Sequence, residues 1–168
     1  MAVPVPLDPG AGVVLTSTAT HSWYQTLAYL LAPPSCRLTK TAATTTGASG
    51  IFGAVAFDAE SYDVTGMHDN VTNNTRITIA QTGQYRLKAK LRTSSNTSLG
   101  AKFAVNGTAL AETEMWAGFA ASAFADVAID TTVALTAGQY VELLAATTTA
   151  TVAVGPTACY FEARWVSN

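Results

Sequence analysis

The distribution of hydrophobic and polar residues changes character near residue 50. From residue 51 onward, apolar side chains recur at every second position, which is the period of a β-strand. The clearest example is QYRLKAKLRT, residues 84–93. Its apolar face carries Tyr85, Leu87, Ala89 and Leu91, and its basic face carries Arg86, Lys88, Lys90 and Arg92. We expect the basic face to be solvated, with contact to acidic residues of a partner as the alternative.

The segment from residue 51 to residue 168 is predicted to form one all-β domain. About eight to ten short strands are expected there, a number that a jelly roll commonly closes. Turn signals at Thr82-Gly83, Asn106-Gly107 and Ala137-Gly138 separate them. No long helical pattern interrupts the strands. The fold class predicted is therefore an antiparallel jelly-roll sandwich.

Residues 1–50 have a different pattern and are predicted to form an arm, a short helix and a linker. Prolines concentrate before residue 35, so residues 1–17 are expected to be extended. HSWYQTLAYLLAPP, residues 21–34, has apolar side chains at helical spacing and ends in two prolines, which predicts an amphipathic helix over about residues 20–32. Its apolar face carries Trp23, Leu27, Leu30 and Leu31. Residues 39–50 are expected to be a flexible connector.

Charge excludes two classes of partner. Charged residues make up only 12% of the chain and the net charge is -2, so no basic surface is available for nucleic acid or for an anionic membrane. Neither a secretory signal nor an apolar run of about 20 residues is recognised, so we expect no membrane partner. A Thr-rich surface with few charges suits a protein that packs against copies of itself or against other proteins.

The candidate for catalysis is FDAESYDVTGMHDN, residues 57–70, which concentrates carboxylates and one imidazole. These side chains are Asp58, Glu60, Asp63, His68 and Asp69. Turns recruit Asp and Asn for hydrogen bonds to the backbone, so a capping loop is the favoured interpretation. A cation site and an acid–base pair are the alternatives. No Ser elbow, Cys/His pair or HExxH helix accompanies the segment, and we expect no catalytic residue, metal or cofactor.

Two further features concern packing. Cys36 and Cys159 are expected to be buried thiols, with a mutual disulfide as the alternative. EMWAGFAASAFA, residues 114–125, places apolar side chains in a predicted connection between strands. Such a stretch is either an exposed contact surface or a loop folded over the core.

Several short motifs occur in an order that resembles the tumour-necrosis-factor-like jelly roll, which also forms the globular heads of the first complement component. They are Tyr62-Asp63, Gly83-Gln84-Tyr85, Asn106-Gly107, LTAGQYVEL at residues 135–143, and the aromatic residues Phe161 and Trp165. Gln139 stands where this superfamily has Asp. The resemblance implies a homotrimer that packs through apolar surface and performs no chemistry. The residues proposed for subunit or partner contact are Met115, Trp116, Phe119, Phe124 and Tyr85.

The segments FDAESYDVTGMHDN, TRITI, TGQYRL and VNGT also resemble virion proteins of tailed bacteriophages, particularly those that infect actinobacteria. The resemblance implies a structural protein of the virion, assembled in the bacterial cytoplasm. We expect a trimeric decoration or minor capsid protein whose N-terminal arm and helix attach it to the major capsid protein, with Trp23, Leu27, Leu30 and Leu31 as attachment residues. The alternatives are a minor tail protein that binds a host receptor at the tail tip, and a glycan-active enzyme.

Overall fold

The computed structural model describes residues 23, 24, 27, 29, 31–45, 50–93, 97–118, 125–147, 153, 154 and 159–167. Helical backbone occurs at Trp23, Tyr24, Leu27, Tyr29 and Leu31, within the span for which the sequence predicts a helix. The predicted extended arm, residues 1–17, lies outside the described residues. In the described part of the chain, no helix is long and apolar enough to cross a membrane.

The remaining regular structure consists of strands and one short 3₁₀ helix at Ala111–Thr113. The strands are β1 (Ser35–Thr39), β2 (Thr44–Thr45), β3 (Gly53–Ala54), β4 (Ala59–Asp63), β5 (Arg76–Thr78), β6 (Gly83–Arg92), β7 (Leu99–Val105), β8 (Thr108–Ala109), β9 (Met115–Ala117), β10 (Asp126–Leu135), β11 (Tyr140–Thr147), β12 (Ala153–Val154) and β13 (Tyr160–Ser167). All of their pairings are antiparallel, as the sequence predicts.

The strands form two main sheets that face each other. The five-stranded sheet has the order β10-β6-β13-β1-β4. The six-stranded sheet has the order β3-β11-β7-β8, with β5 also paired to β11 and β9 also paired to β7. This arrangement confirms the predicted jelly-roll sandwich. Because β1 pairs with both β13 and β4, the five-stranded sheet begins at Ser35, upstream of the boundary at residue 50 that the sequence suggested.

The core lies between the sheets and follows the predicted alternation. On β6, the apolar side chains Tyr85, Leu87, Ala89 and Leu91 are all buried. Phe161 of β13 stacks on Phe103 of β7 at 5.7 Å between ring centroids and lies 6.0 Å from Phe57, so aromatic rings join the two sheets. Each such ring contributes about 1.5–3 kcal/mol by leaving water.

Two predicted turns use side-chain hydrogen bonds. Asn106 and Gly107 both have positive φ, of 49° and 78°, as a two-residue hairpin between β7 and β8 requires. In the turn between β10 and β11, the backbone N–H of Thr136 donates to Oε1 of Gln139 at 2.7 Å. Gln139 therefore provides a side-chain acceptor in this turn, at the position where the jelly-roll proteins that the sequence resembles have Asp.

The predicted strand over residues 51–57 is shorter than expected and is reduced to β3. Its hydrogen bonds change neighbour along its length, because Val55 N–H donates to the Leu143 carbonyl while Phe57 N–H donates to the Asn74 carbonyl. Val55 and Phe57 are nevertheless buried, as the alternation predicts. The two segments expected to be loops, residues 57–70 and 114–125, contain the short strands β4 and β9.

The two ends of the sandwich differ, and we call one of them the base. At the base, Gly83 of β6 lies opposite Leu135 of β10, and Trp165 N–H donates to the Pro34 carbonyl. The Tyr29 ring lies 6.2 Å from the Trp165 ring, which places the helical residues at this end. At the distal end, Arg92 lies opposite Asp126 and Thr39 lies opposite Tyr160.

Candidate functional site

The carboxylates of the acidic segment bind backbone N–H groups. Asp58 accepts hydrogen bonds from Thr41 N at 2.7 Å, Thr41 Oγ1 at 3.0 Å and Ala42 N at 3.0 Å. Desolvation opposes the change, but these hydrogen bonds lower the pKa of Asp58 below its ordinary value. Asp58 therefore fixes the segment that follows β1.

Asp63 and Asp69 close local turns in the same way. Asp63 accepts from the backbone N–H groups of Thr65 at 3.3 Å and His68 at 2.9 Å. Asp69 accepts from the N–H groups of residues 71 and 72 at 2.8 and 2.9 Å. These bonds match the capping-loop interpretation. Among the described residues, no group of three or more His, Cys, Asp or Glu side chains is placed to hold a metal ion.

His68 lines a polar recess of about 280 Å³ together with Asp69 and Arg76. Its Nδ1 lies 2.8 Å from the Arg76 carbonyl oxygen, so Nδ1 carries the proton. Its Nε2 is buried and has no hydrogen-bond partner in the described part of the chain. One imidazole and one carboxylate are too few ligands for a transition-metal site, which usually has three or four. His68 is therefore a hydrogen-bonded loop residue.

The basic face of β6 meets acidic residues of its own chain. Arg86 forms a two-point contact with Asp130 of β10 through Nε and a terminal nitrogen, at 3.0 and 2.5 Å. Arg92 contacts Asp126 in the same manner, at 2.6 Å for both bonds. Lys90 lies 3.7 Å from Asp126. The sequence predicted a solvated face, with acidic residues of another protein as the alternative. The face is partly exposed, and the neighbouring strand of the same chain supplies its acidic partners.

An aromatic platform lies on the outer surface of the six-stranded sheet and consists of Phe52, Gly100, Lys102, Glu114 and Trp116. Trp116 of β9 lies opposite Gly100 of β7, and its indole ring covers the glycine so closely that an added Cβ would lie 2.7 Å from the ring. Phe52 meets the Trp116 ring edge-on, with centroids 5.5 Å apart and planes at 71°. The indole ring is thus supported from below and from one side.

Hydrogen bonds to the Glu114 carboxylate also hold the side chains of the aromatic platform in place. Trp116 Nε1 donates to Glu114 Oε1 at 2.9 Å, and Lys102 Nζ donates to Glu114 Oε2 at 2.9 Å. Lys102 Nζ also lies 3.8 Å from the centroid of the Phe52 ring. The hydrogen bond from Trp116 and then that from Lys102 lower the pKa of Glu114. Trp116 remains 38% exposed, so the platform presents an ordered aromatic surface beside a closed ion pair.

The residues proposed for subunit contact do not form one surface. Met115 lies opposite Ala101, on the other face of β9 from Trp116, and it is 53% exposed. Strand β9 as a whole lies close to β10. Phe119 and Phe124 lie outside the described residues. Met115 and Trp116 therefore belong to two different surfaces.

Tyr85 was proposed as a subunit contact, and the structure corrects this. Its side chain is 0% exposed within its own chain, and its hydroxyl donates to the Gln81 carbonyl at 2.8 Å. Burial raises the pKa of Tyr85 to about 12. The residue lies on the inward face of β6, as the alternation along that strand indicates, and so it is a core residue.

The helical residues proposed for attachment present apolar side chains to solvent. Trp23, Leu27 and Leu31 are 37%, 49% and 83% exposed, and Leu30 lies outside the described residues. Tyr29, packed on Trp165, connects this segment to the base. Most of the described apolar surface of the helix is therefore not covered by the jelly roll.

Cys36 and Cys159 are buried thiols that form no disulfide with each other, as the sequence predicts. Cys36 lies opposite Ala163, which is four residues further along the chain than Cys159. At about 3.3 Å per residue this separation is roughly 13 Å, well beyond the Cα distance that a disulfide spans. The alternative of a mutual disulfide does not agree with this register.

Sequence reasoning missed most of the aromatic platform. It singled out Trp116 but not Phe52, Gly100, Lys102 or Glu114. One signal was present, because an isolated Gly inside a strand pattern often marks a close approach of another group. The partner that approaches Gly100 depends on strand register, which the sequence does not display.

Comparison with other proteins agrees with this architecture at the level of fold. No protein-family model matches the chain, and no curated protein matches it. Among solved structures, the globular domain of zebrafish complement 1qA protein superposes with a TM-score of 0.60 at 12% identity, covering 79% of this chain and 97% of that one. Murine APRIL superposes with a TM-score of 0.61, also at 12% identity, covering 79% of this chain and 98% of that one. The fold is a tumour-necrosis-factor-like jelly roll. At this identity the likeness shows the jelly roll alone and assigns no activity to it.

Proposed function

We propose that this jelly roll is a non-enzymatic structural protein of a tailed-phage virion, a trimeric decoration or minor capsid protein attached through its N-terminal segment. The sequence resemblance to phage virion proteins supports the viral setting. The carboxylates of the acidic segment, which cap turns, support a structural role over a catalytic one.

The main observation behind the proposal is that the helical segment at the base leaves apolar side chains exposed. Leu27 and Leu31 are exposed there, while Tyr29 holds the segment against Trp165. Exposed apolar surface of this kind usually marks an interaction site. Burying it against a coat subunit at roughly 25 cal/mol per Å² would supply the attachment energy. The jelly roll would then stand with its base toward the particle.

The trimer would close along the edge formed by β9 and β10. Strand β10 is at the end of its sheet and pairs only with β6 among the described strands. Its ten residues contain neither Pro nor Lys, which are common protections of an exposed edge. Met115 adds exposed apolar surface beside it. A closed threefold assembly would cover both features.

The oligomeric state tests the trimer. Light scattering of the purified protein should give three times the chain mass of 17.4 kDa. Met115→Asp should shift the population toward monomer, because a charge would have to be buried in the contact. The matched control is Val71→Asp, since Val71 is 88% exposed in a loop. A monomer for the unmodified protein would exclude a trimeric assembly.

Incorporation into virions tests attachment and position. Leu27→Asp combined with Leu31→Asp should leave a folded trimer that is lost from particles of the phage that encodes it, whereas Val71→Asp should be retained. Cryo-microscopy of labelled particles should show signal over the whole head. Signal confined to the tail end would instead support the tail-tip protein, and normal incorporation of the doubly substituted protein would contradict attachment through the helix.

A further inference from the structure

The aromatic platform is already ordered before any ligand arrives. The backbone of Gly100 supports the Trp116 ring, the Phe52 edge borders it, and the Glu114 carboxylate accepts the hydrogen bond from its Nε1. A ligand that stacks on Trp116 would therefore not have to order this side chain, and the entropic cost of binding is lower. The Trp116 side chain is at the same time 38% exposed, so a ligand can reach it.

The charges around the platform restrict the ligand. Glu114 and Lys102 pair with each other at 2.9 Å, so the platform has no net charge to attract an anion or a cation. Their side chains remain 36% and 16% exposed, and both retain hydrogen-bonding capacity beyond the bonds described. A suitable ligand is neutral, has one flat apolar face for the indole, and carries hydroxyl groups at its rim for the carboxylate and the ammonium group.

We propose that the aromatic platform is a binding site for a neutral saccharide. One face of a pyranose ring presents C–H groups that stack on an aromatic ring, and its equatorial hydroxyls point outward to polar neighbours. Trp116 would bind the C–H face, and Glu114 and Lys102 would bind hydroxyls. The site lies on the opposite face of β9 from Met115, so a trimer closed along the β9/β10 edge would leave it open.

Binding is tested with soluble neutral oligosaccharides of glucose, galactose and N-acetylglucosamine, followed by NMR of the indole N–H groups. The chain has three tryptophans, so the spectrum contains few signals, and Trp116→Phe assigns the one of interest. At least one neutral sugar should shift the Trp116 signal. The Trp165 signal should stay unchanged, because its Nε1 points to the Thr82 carbonyl at the base.

Variants separate stacking from unspecific effects. Trp116→Ala should weaken binding by about tenfold or more, as expected for the loss of one buried aromatic contact. Gly100→Ala should weaken it similarly, because the new Cβ would lie 2.7 Å from the indole and displace the ring without removing it. Tyr24→Ala, which removes an aromatic side chain that is 73% exposed on the helix, should have no effect.

Three results would overturn the proposal. The first is that none of the neutral sugars shifts the Trp116 signal at millimolar concentration. The second is that Trp116→Ala and Gly100→Ala, with otherwise unchanged spectra, bind as well as the unmodified protein. The third is that an acidic polysaccharide or a peptide binds the platform and the neutral sugars do not. None of these outcomes depends on whether the protein is found on the head or the tail of a virion.

Discussion

Gly83 offers a sharp test of how the base is built. Its φ is +155°, in the region that side-chain-bearing residues rarely adopt, and it lies under Trp165 of the last strand. A Cβ at this position would lie 2.3 Å from Trp165 Nε1 and 2.5 Å from the backbone oxygen of Ser167. The Trp165 indole can move aside, but the Ser167 carbonyl oxygen belongs to the backbone at the end of β13, a strand that is paired on both sides. Gly83→Ala should therefore separate β13 from β6 at the base.

The loss of unfolding free energy expected for Gly83→Ala has two contributions. Backbone strain at such a φ costs about 1–3 kcal/mol, and inserting an atom into a packed region costs about 1–3 kcal/mol more. Gly66 is a matched control, because it has a φ of +67° but no heavy atom within 4 Å of the added Cβ. Gly66→Ala should therefore lose only the backbone contribution, about 1–2 kcal/mol of unfolding free energy. Gly83→Ala should lose about 3 kcal/mol or more.

Urea denaturation followed by far-ultraviolet circular dichroism measures both variants, at one protein concentration so that any assembly contributes equally. For a domain of this size, 3 kcal/mol corresponds to a fall in Tm of roughly 6–12 °C. Trp165 also holds Tyr29, so Gly83→Ala should increase proteolysis of the helical segment while Gly66→Ala does not. Equal losses of stability in the two variants would refute the reasoning, because the contact with Trp165 and Ser167 would then contribute nothing.

Two further predictions concern titratable groups. The hydrogen bonds from Arg92 and Arg86 lower the native pKa values of Asp126 and Asp130, so the stability these pairs add is present above about pH 4 and is lost as pH falls through the lowered values. Because the pairs are exposed to solvent, their contribution is small. The Asp126→Asn, Asp130→Asn double variant should show a shallower acid decline in urea titrations, and an unchanged decline would contradict the assignment. Burial, and then Asp63 and Glu60, raise the pKa of the Cys36 thiol, so Cys36 and the equally buried Cys159 should react slowly with thiol reagents until denaturant is added. A reductant-sensitive gel shift would instead show that a disulfide forms.

The sequence predicted best those features that depend on whether an individual side chain is buried. The alternation along β6 predicted which side chains point inward, because a paired strand in a two-layer sandwich must bury one face. The alternation placed Tyr85 on the inward face of β6, and the structure agrees with the alternation rather than with the proposed subunit contact of Tyr85. Turn chemistry could also be predicted at Asp63 and Asp69, since their carboxylates accept hydrogen bonds from backbone N–H groups that follow closely in sequence. Asp58 differs, because its partner Thr41 lies 17 residues earlier.

Features that depend on pairing between distant segments could not be predicted from the sequence. Strand β1 follows two prolines and has only two apolar side chains, so its place beside β13 depends on a contact more than 120 residues away. The aromatic platform requires Trp116 to lie opposite Gly100, which is a matter of register between β9 and β7. A one-residue slip of that pairing would move Trp116 to the other face. Composition and periodicity are the same for both registers.

The last strand ends where the helical segment begins its contact with the sandwich. Ser167 lies opposite Gln84, two positions from the pairing of Trp165 with Tyr85, and Trp165 N–H donates to the Pro34 carbonyl. An affinity tag or fluorescent protein attached directly behind Ser167 would therefore emerge on the same side as the helix and would crowd whatever the helix binds. Reporters are better inserted between strands at the distal end, beside Arg92 and Asp126, where they would leave that side free.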